Sequence, residues 1–310
     1  MIALRSALFN ALLYLTTAIE MIVFTPFYFF VDRQRAWFVP KFWSRVNNWL
    51  LRTVCGTRFT IDGLENLERA RAMSEAAGKG GGTIIAPKHQ SFWDTFALLP
   101  HLRDPVIILK RELLFIPLFG LYLARMNMIA IRRGTKKKAL DQATDRGREE
   151  VIGEGRELII YPEGTRRAPG DAPIYKYGIT HLYGTLGVPV VPVAWNPGLF
   201  WPRRRFRRYP GCIRVRILEP IEPGLPKDEF TAILRARLER AQDELLLEQA
   251  RDETIPPFVP TARARVEALT GQTLEAYREG LGLRPDSPYA MGRRGPPEVS
   301  DPLSADQTSS

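Results

Sequence analysis

Five short runs of apolar and β-branched residues, "GTIIAP" (82–87), "PVIIL" (105–109), "MIAI" (128–131), "ELIIY" (157–161) and "VPVVPVAW" (188–195), alternate with stretches of helical texture. Strands that are apolar along their whole length are covered on both faces. The alternation therefore predicts an α/β fold: a single open sheet, mixed but mainly parallel, wrapped by helices. Residues 212–219, "CIRVRILE", alternate with period two and predict an edge strand. Residues 227–252 place Phe230, Leu234, Leu238 and Leu245 at helical spacing. The "KGGG" segment (79–82) precedes a strand rather than a helix, so it is a loop and not a phosphate cradle.

Upstream of this pattern the texture changes. Residues 7–30 have only Asn10 and Glu20 as strongly polar interruptions, and as a helix they would extend about 36 Å, enough to cross a bilayer. Glu20 near the centre opposes a simple span, since an acid at mid-membrane costs about 3 kcal/mol. No small-residue cleavage signature follows, which argues against a removed signal peptide. Residues 32–52 interleave Trp37, Phe38, Phe42, Trp43 and Trp49 with Arg33, Arg35, Lys41, Arg45 and Arg52. Tryptophans and cations prefer the headgroup level, so this reads as an interfacial helix on a bilayer with anionic headgroups.

A net charge of +10 over 310 residues calls for an anionic partner. Composition does not separate nucleic acid, a membrane face and phosphate-bearing substrates. Cys55 and Cys212 stand far apart and the three histidines are scattered, which speaks against a disulfide framework or a metal site.

Chemistry concentrates where strands end. "PKHQSFWDT" (87–95) places His89 five residues before Asp94. Ser91 and Asp94 fit a helix capping box, and His89 with Asp94 equally fits a general base and the acid that orients it, an imidazole having an unperturbed pKa of about 6.5. Residues five apart lie about 140° apart on a helix, so His89 belongs in the loop ahead of a helix whose first turn holds Asp94 and whose N-cap is Ser91. "PEGTRR" (162–167) follows another strand and puts Glu163, Gly164, Thr165 and Arg166 at its carboxyl end. "MIAI" delivers Arg132 and Arg133, and "PVIIL" delivers Lys110. Four strand ends thus converge on one base and several cations able to grip phosphate. "WPRRRFRRYPG" (201–211) interleaves arginines with Trp201, Phe206 and Tyr209; it reads as a membrane-facing loop, a plain solvated hairpin or a single-strand nucleic-acid site.

In this order the blocks resemble the 1-acyl-sn-glycerol-3-phosphate acyltransferase family over about residues 57–225. His89 and Asp94 correspond to its H-x4-D block, "AIRR" (130–133) to the second, "YPEGTRR" (161–167) to the third and "VPVVPV" (188–193) to the fourth. The resemblance implies the glycerolipid acyltransferase fold, with His89 as base and Asp94 as its orienter. It implies that Arg133, Glu163, Gly164, Thr165, Arg166 and Lys110 bind the lysophospholipid acceptor. The acyl donor would be acyl-CoA or acyl-carrier protein, with no cofactor, no metal and no nucleic-acid partner. The implied location is the cytoplasmic face of the inner membrane. The expected organisation is an anchor over 1–55, a catalytic domain over 56–252, a linker and C-terminal helix over 253–283, and a disordered proline-rich tail over 284–310. Arg132, Tyr161 and Arg167 depart from the family's usual aspartate, phenylalanine and serine. The two added arginines leave open another lyso-lipid acceptor. The remaining alternative is a non-catalytic binder of anionic surfaces or of nucleic acid.

Overall fold

The computed structural model describes residues 1–131 and 136–289. Among these, one sheet is built from β1 (Thr57–Asp62), β2 (Thr83–Pro87), β3 (Pro105–Lys110), β4 (Ile129–Ile131), β5 (Glu157–Ile159), β6 (Val190–Trp195) and β7 (Gly211–Ile217). The strand order is β1-β7-β6-β2-β5-β3-β4, and only the β6–β7 pair is antiparallel. The expected single, mainly parallel sheet is what forms. Every residue of β2 and β6 is buried. Ile85, Val191 and Val193 face Trp93, Trp195 and Phe96 on one side; Ile84, Ala86 and Val190 face Leu182, Phe230 and Leu238 on the other. Each isoleucine, valine or leucine among them contributes about 1.5–3 kcal/mol on burial, which makes the sheet's centre the stable part of the molecule.

Two strand expectations need correction. β7 is not an edge strand, because it lies between β1 and β6. Its alternation arises from Arg214 and Arg216, which cover one face by pairing with Asp252, Glu244 and Glu248 around the long helix Lys227–Ala250. Their aliphatic stems lie against protein while their heads stay polar, so a covered face reads as a wet one. The two edges are β1 and β4, and β1 carries the same period-two burial in "TRFTID".

The N-terminal segment forms the helix Ile2–Tyr28, long and apolar enough to cross a membrane by length and composition, with 17% of its most apolar window buried. The following helix, Phe38–Leu50, is docked through polar residues. Ser44 donates to the Phe96 carbonyl at 2.7 Å, and the Trp93 indole donates to Asn48 at 2.8 Å. Nearby, the Trp37 indole and Arg33 both bond Asp104, which also pairs with the fully buried Arg156 at 3.1 Å. These bonds seat residues 33–50 on the domain.

The C-terminal region differs from expectation. Ile255 and Phe258, in the expected linker, are core residues. Two helices, Pro260–Thr270 and Leu274–Gly280, stand where one was expected, because Gly271 adopts a left-handed φ of 72° and Thr273 caps a new start. Arg278 is fully buried and donates to the carbonyls of Ala250, Asp252 and Glu253. Ser287, within the expected tail, is buried and donates to the Ile255 carbonyl at 2.6 Å. Residues 290–310 of that tail lie outside the described residues.

Candidate active site

β2, β5, β3 and β4 are mutually parallel neighbours, so their carboxyl ends share one edge of the sheet. Open α/β sheets bind ligands at this edge. His89 follows β2, and 161–167 follow β5 alongside it. Lys110 ends β3, two strands from β2, which at about 4.8 Å per strand puts its backbone roughly 10 Å away.

His89 lies in an irregular stretch and Asp94 opens a short helix, Asp94–Ala97. Asp94 Oδ2 lies 3.0 Å from His89 Nδ1 and also accepts the amides of Gln90 at 2.6 Å and Ser91 at 2.8 Å. The Ser91 amide bond is one half of the capping box. Ser91 Oγ accepts weakly from the Trp93 amide at 3.3 Å and donates to the Trp201 carbonyl at 2.8 Å. Capping and histidine orientation therefore use the same carboxylate oxygen. Because that oxygen already accepts two amide protons, the His89 Nδ1 contact is a donation, and the lone pair of the ring is left on Nε2. Burial pushes the Asp94 carboxyl above its ordinary range, opposed by His89 and the two amides.

Tyr161 fixes the other face of the ring. Its aromatic plane stacks on His89 with centroids 4.0 Å apart, and its hydroxyl donates to the Asp94 carbonyl at 3.0 Å. The change from phenylalanine thus adds a bond to the very residue that orients the base. Burial holds the Tyr161 phenol well above its ordinary value, so it remains a donor.

Glu163 is where expectation and structure part. Its side chain is 1% exposed; Oε2 accepts the His89 backbone amide at 2.9 Å, and Oε1 pairs with Lys88 Nζ at 2.9 Å. A carboxylate so enclosed offers no edge to an acceptor, and its charge would repel a phosphate. It holds the histidine loop instead. Lys88 also pairs with Glu239 of the long helix at 2.8 Å, and Glu239 accepts from the Tyr175 hydroxyl at 2.5 Å. Burial alone would lower the Lys88 ammonium, but Glu163 and Glu239 keep it above its ordinary range. Lys88 and Glu239 went unnoticed in the sequence. The available signal was the alternation of β2, which continues Ile84, Ala86 and Lys88 onto the face of the long helix.

The remaining expected residues are less engaged. Gly164 takes a φ of 66° that lets its amide close a turn onto the Tyr161 carbonyl at 3.0 Å. Thr165 and Lys110 are exposed, and Arg166 is half-buried, with its carbonyl accepting from Arg203 at 2.9 Å. Arg132 and Arg133 lie outside the described residues. No group of three or more metal-ligating side chains occurs among the described residues. The arrangement offers an oriented imidazole whose Nε2 has no hydrogen-bond partner among the described residues, at the sheet edge that also carries Lys110 and Arg166.

The acyltransferase family model matches residues 58–196, which contain all four blocks. The chain is 37% identical over 220 residues to the 1-acyl-sn-glycerol-3-phosphate acyltransferase of Pseudomonas aeruginosa, covering 69% of this chain and 79% of that protein. It is 30% identical over 201 residues to the human 1-acyl-sn-glycerol-3-phosphate acyltransferase beta, covering 64% of this chain and 65% of that one. The crystal structure of the 1-acyl-sn-glycerophosphate acyltransferase from Thermotoga maritima matches with a TM-score of 0.63, over 79% of this chain and 98% of that one. At 23% identity this last likeness is one of fold. Taken with the histidine and carboxylate at the sheet edge, these similarities identify an acyltransferase, and the chain belongs to the 1-acyl-sn-glycerol-3-phosphate acyltransferase family.

Proposed function

We propose that the protein transfers a fatty acyl group from the thioester of acyl-CoA or acyl-carrier protein to the free hydroxyl of 1-acylglycerol 3-phosphate, giving phosphatidate. The observation that carries this reading is the 3.0 Å contact of Asp94 with His89 Nδ1, which leaves Nε2 as a base. The acceptor hydroxyl gives its proton to Nε2 as its oxygen attacks the thioester carbonyl. The new C–O bond forms, the C–S bond breaks, and the imidazolium returns the proton to the departing thiolate. The acceptor phosphate falls to Arg166, Lys110 and Arg133 at neighbouring strand ends, with Gly164 and Thr165 shaping the loop between. Glu163 acts through the His89 backbone.

The acceptor is tested with purified protein, one long-chain acyl-CoA and equal concentrations of lysophosphatidate, zwitterionic lysophospholipids and a phosphate-free lyso-aminolipid. Lysophosphatidate is expected to turn over at least about tenfold faster than the rest, the scale on which a site built for a charged group rejects its analogues. Arg167, an added cation beside the catalytic loop, motivates the second reading, in which another lyso-lipid is preferred. Faster turnover of such a lipid would replace the acceptor and leave the chemistry.

Residues 1–52 are proposed to hold this site at the membrane. Leu4, Tyr14, Ile22 and Phe27 on the first helix, and Phe30, Phe38 and Trp49 beyond it, are exposed. Arg33, Arg35, Lys41, Arg45 and Arg52 accompany them, which favours the cytoplasmic leaflet. Deleting the segment would also remove the core residues Trp37 and Leu50. A sharper test is Tyr14→Glu with Ile22→Glu and Phe30→Glu. Each acid opposes insertion by up to about 3 kcal/mol, and the variant is expected to stay at the bottom of a vesicle flotation gradient. Flotation equal to wild type would contradict the anchor.

A further inference from the structure

The loop from Trp201 to Arg208 is bound to both motif loops of the site. At its start the Trp201 carbonyl accepts Ser91 Oγ at 2.8 Å, and the Trp201 ring meets Phe92 at 5.7 Å. At its end Arg208 is 8% exposed, stacks over Trp201 at 4.4 Å and donates to Asn10 at 2.9 Å. Between these anchors Arg203 donates to the Arg166 carbonyl at 2.9 Å, and the next residue, Arg167, donates its amide to the His89 carbonyl at 2.7 Å. Arg203 is thus linked to the catalytic loop through two backbone contacts, although 114 positions separate it from His89.

Among the described residues the charges gathered here are left largely without counter-charges. Arg203, Arg204 and Arg205 are exposed and Arg166 is half-buried. Among the described residues none of these four has a carboxylate within 4.0 Å, and Arg167 has only Asp171, at 3.4 Å. Burial and the proximity of Arg204, Arg166 and Arg167 together push the Arg203 guanidinium below its ordinary range. Arg204 reaches this cluster on a left-handed φ of 57°, which a side chain adopts only where the surroundings impose it. Like charges held together without a counter-charge fit a ligand that supplies one, and guanidinium matches phosphate oxygens in pairs. Single-stranded nucleic acid fits poorly. Of the aromatics interleaved here Trp201 is buried and Tyr209 half-buried, leaving only Phe206 as a stacking surface.

We propose that Arg203 and Arg204, backed by Arg167, form a phosphate-ester subsite beside His89, distinct from Arg166, Lys110 and Arg133, the cations assigned to the acceptor. It rests on the proposed transfer reaction in one respect: the ligand it would serve is that reaction's phosphate-bearing acyl donor. Two sources carry the chemistry, the nucleotide end of CoA and anionic lipid headgroups.

The test measures equilibrium binding of free CoA, and separately of phosphatidylglycerol vesicles against phosphatidylcholine vesicles. It compares wild type, Arg203→Ala/Arg204→Ala and a charge-matched control, Arg69→Ala/Arg240→Ala, at exposed sites on two helices. The double variant is expected to raise the Kd for CoA at least tenfold and to flatten its salt dependence, with the control within about twofold of wild type. If CoA binding holds and preference for phosphatidylglycerol falls instead, the subsite stands and its phosphate is the lipid's. Unchanged binding of both probes, equal loss in the control, or no binding of either probe by wild type overturns the subsite. Neither readout requires turnover. A wild type that binds CoA through this loop but transfers no acyl group contradicts the proposed function alone, and an active enzyme whose variant binds both probes normally contradicts the subsite alone.

Discussion

His89→Ala is expected to lower kcat by about 10² to 10⁴, the range over which a positioned general base contributes, while the protein stays folded. Among the described residues the ring makes one polar side-chain contact, to Asp94, and stacks on Tyr161; losing a hydrogen bond of this kind costs about 1 kcal/mol of stability. Initial rates and a thermal melt on the same preparation separate the two effects. Asp94→Asn extends the logic. An asparagine that presents its oxygen to the Gln90 and Ser91 amides keeps those bonds, but it no longer stabilises an imidazolium, so kcat falls with Tm little changed. Wild-type rates in His89→Ala would remove the residue as base.

Lys88→Met is expected to cost about 3–5 kcal/mol, because it leaves the carboxylates of Glu163 and Glu239 facing a buried space from which their shared cation has gone. Urea unfolding measures the loss. Activity should fall with it, since Glu163 also accepts the amide of His89. Lys88→Met/Glu163→Gln/Glu239→Gln removes the uncompensated charge and keeps an amide oxygen for the His89 N–H. It should therefore recover most of the stability. Lys88→Arg, which keeps the cation, should rescue kcat in part. A single Lys88→Met variant within about 1 kcal/mol of wild type would show that the ion cluster does not brace the catalytic loop.

What could be read from the sequence followed from local pattern. The all-apolar runs at 82–87 and 188–195 became the two wholly buried strands β2 and β6. Because parallel strands share a carboxyl edge, the strand ends carrying His89, Glu163 and Lys110 necessarily meet there. The geometry of residues five apart also required His89 to precede the helix that begins at Asp94. What escaped was tertiary. Arg214 and Arg216 look like a solvent face, and only the acids on the helix Lys227–Ala250 make that face a covered one. Ile255 and Phe258 sit among prolines that read as a linker, yet they close the core. The sequence places the Glu163 loop at the right edge, and it is the family resemblance that implies an acceptor role for the side chain. Which way a side chain points from a turn depends on its partners, here Lys88 and the His89 amide. Lys88 meets Glu239 across 151 positions, a pairing that no short spacing encodes.

In the proposed reaction the His89–Asp94 pair serves the transfer of an acyl group onto the hydroxyl of lysophosphatidate. The most direct measurement follows CoA thiol release and phosphatidate formation together, with purified wild-type protein, lysophosphatidate and a long-chain acyl-CoA or acyl-carrier protein. One thiol is expected per phosphatidate formed with at least one of these donors, with both signals abolished when lysophosphatidate is omitted. Thiol release that does not depend on lysophosphatidate, or no phosphatidate with either donor, would contradict the proposed reaction.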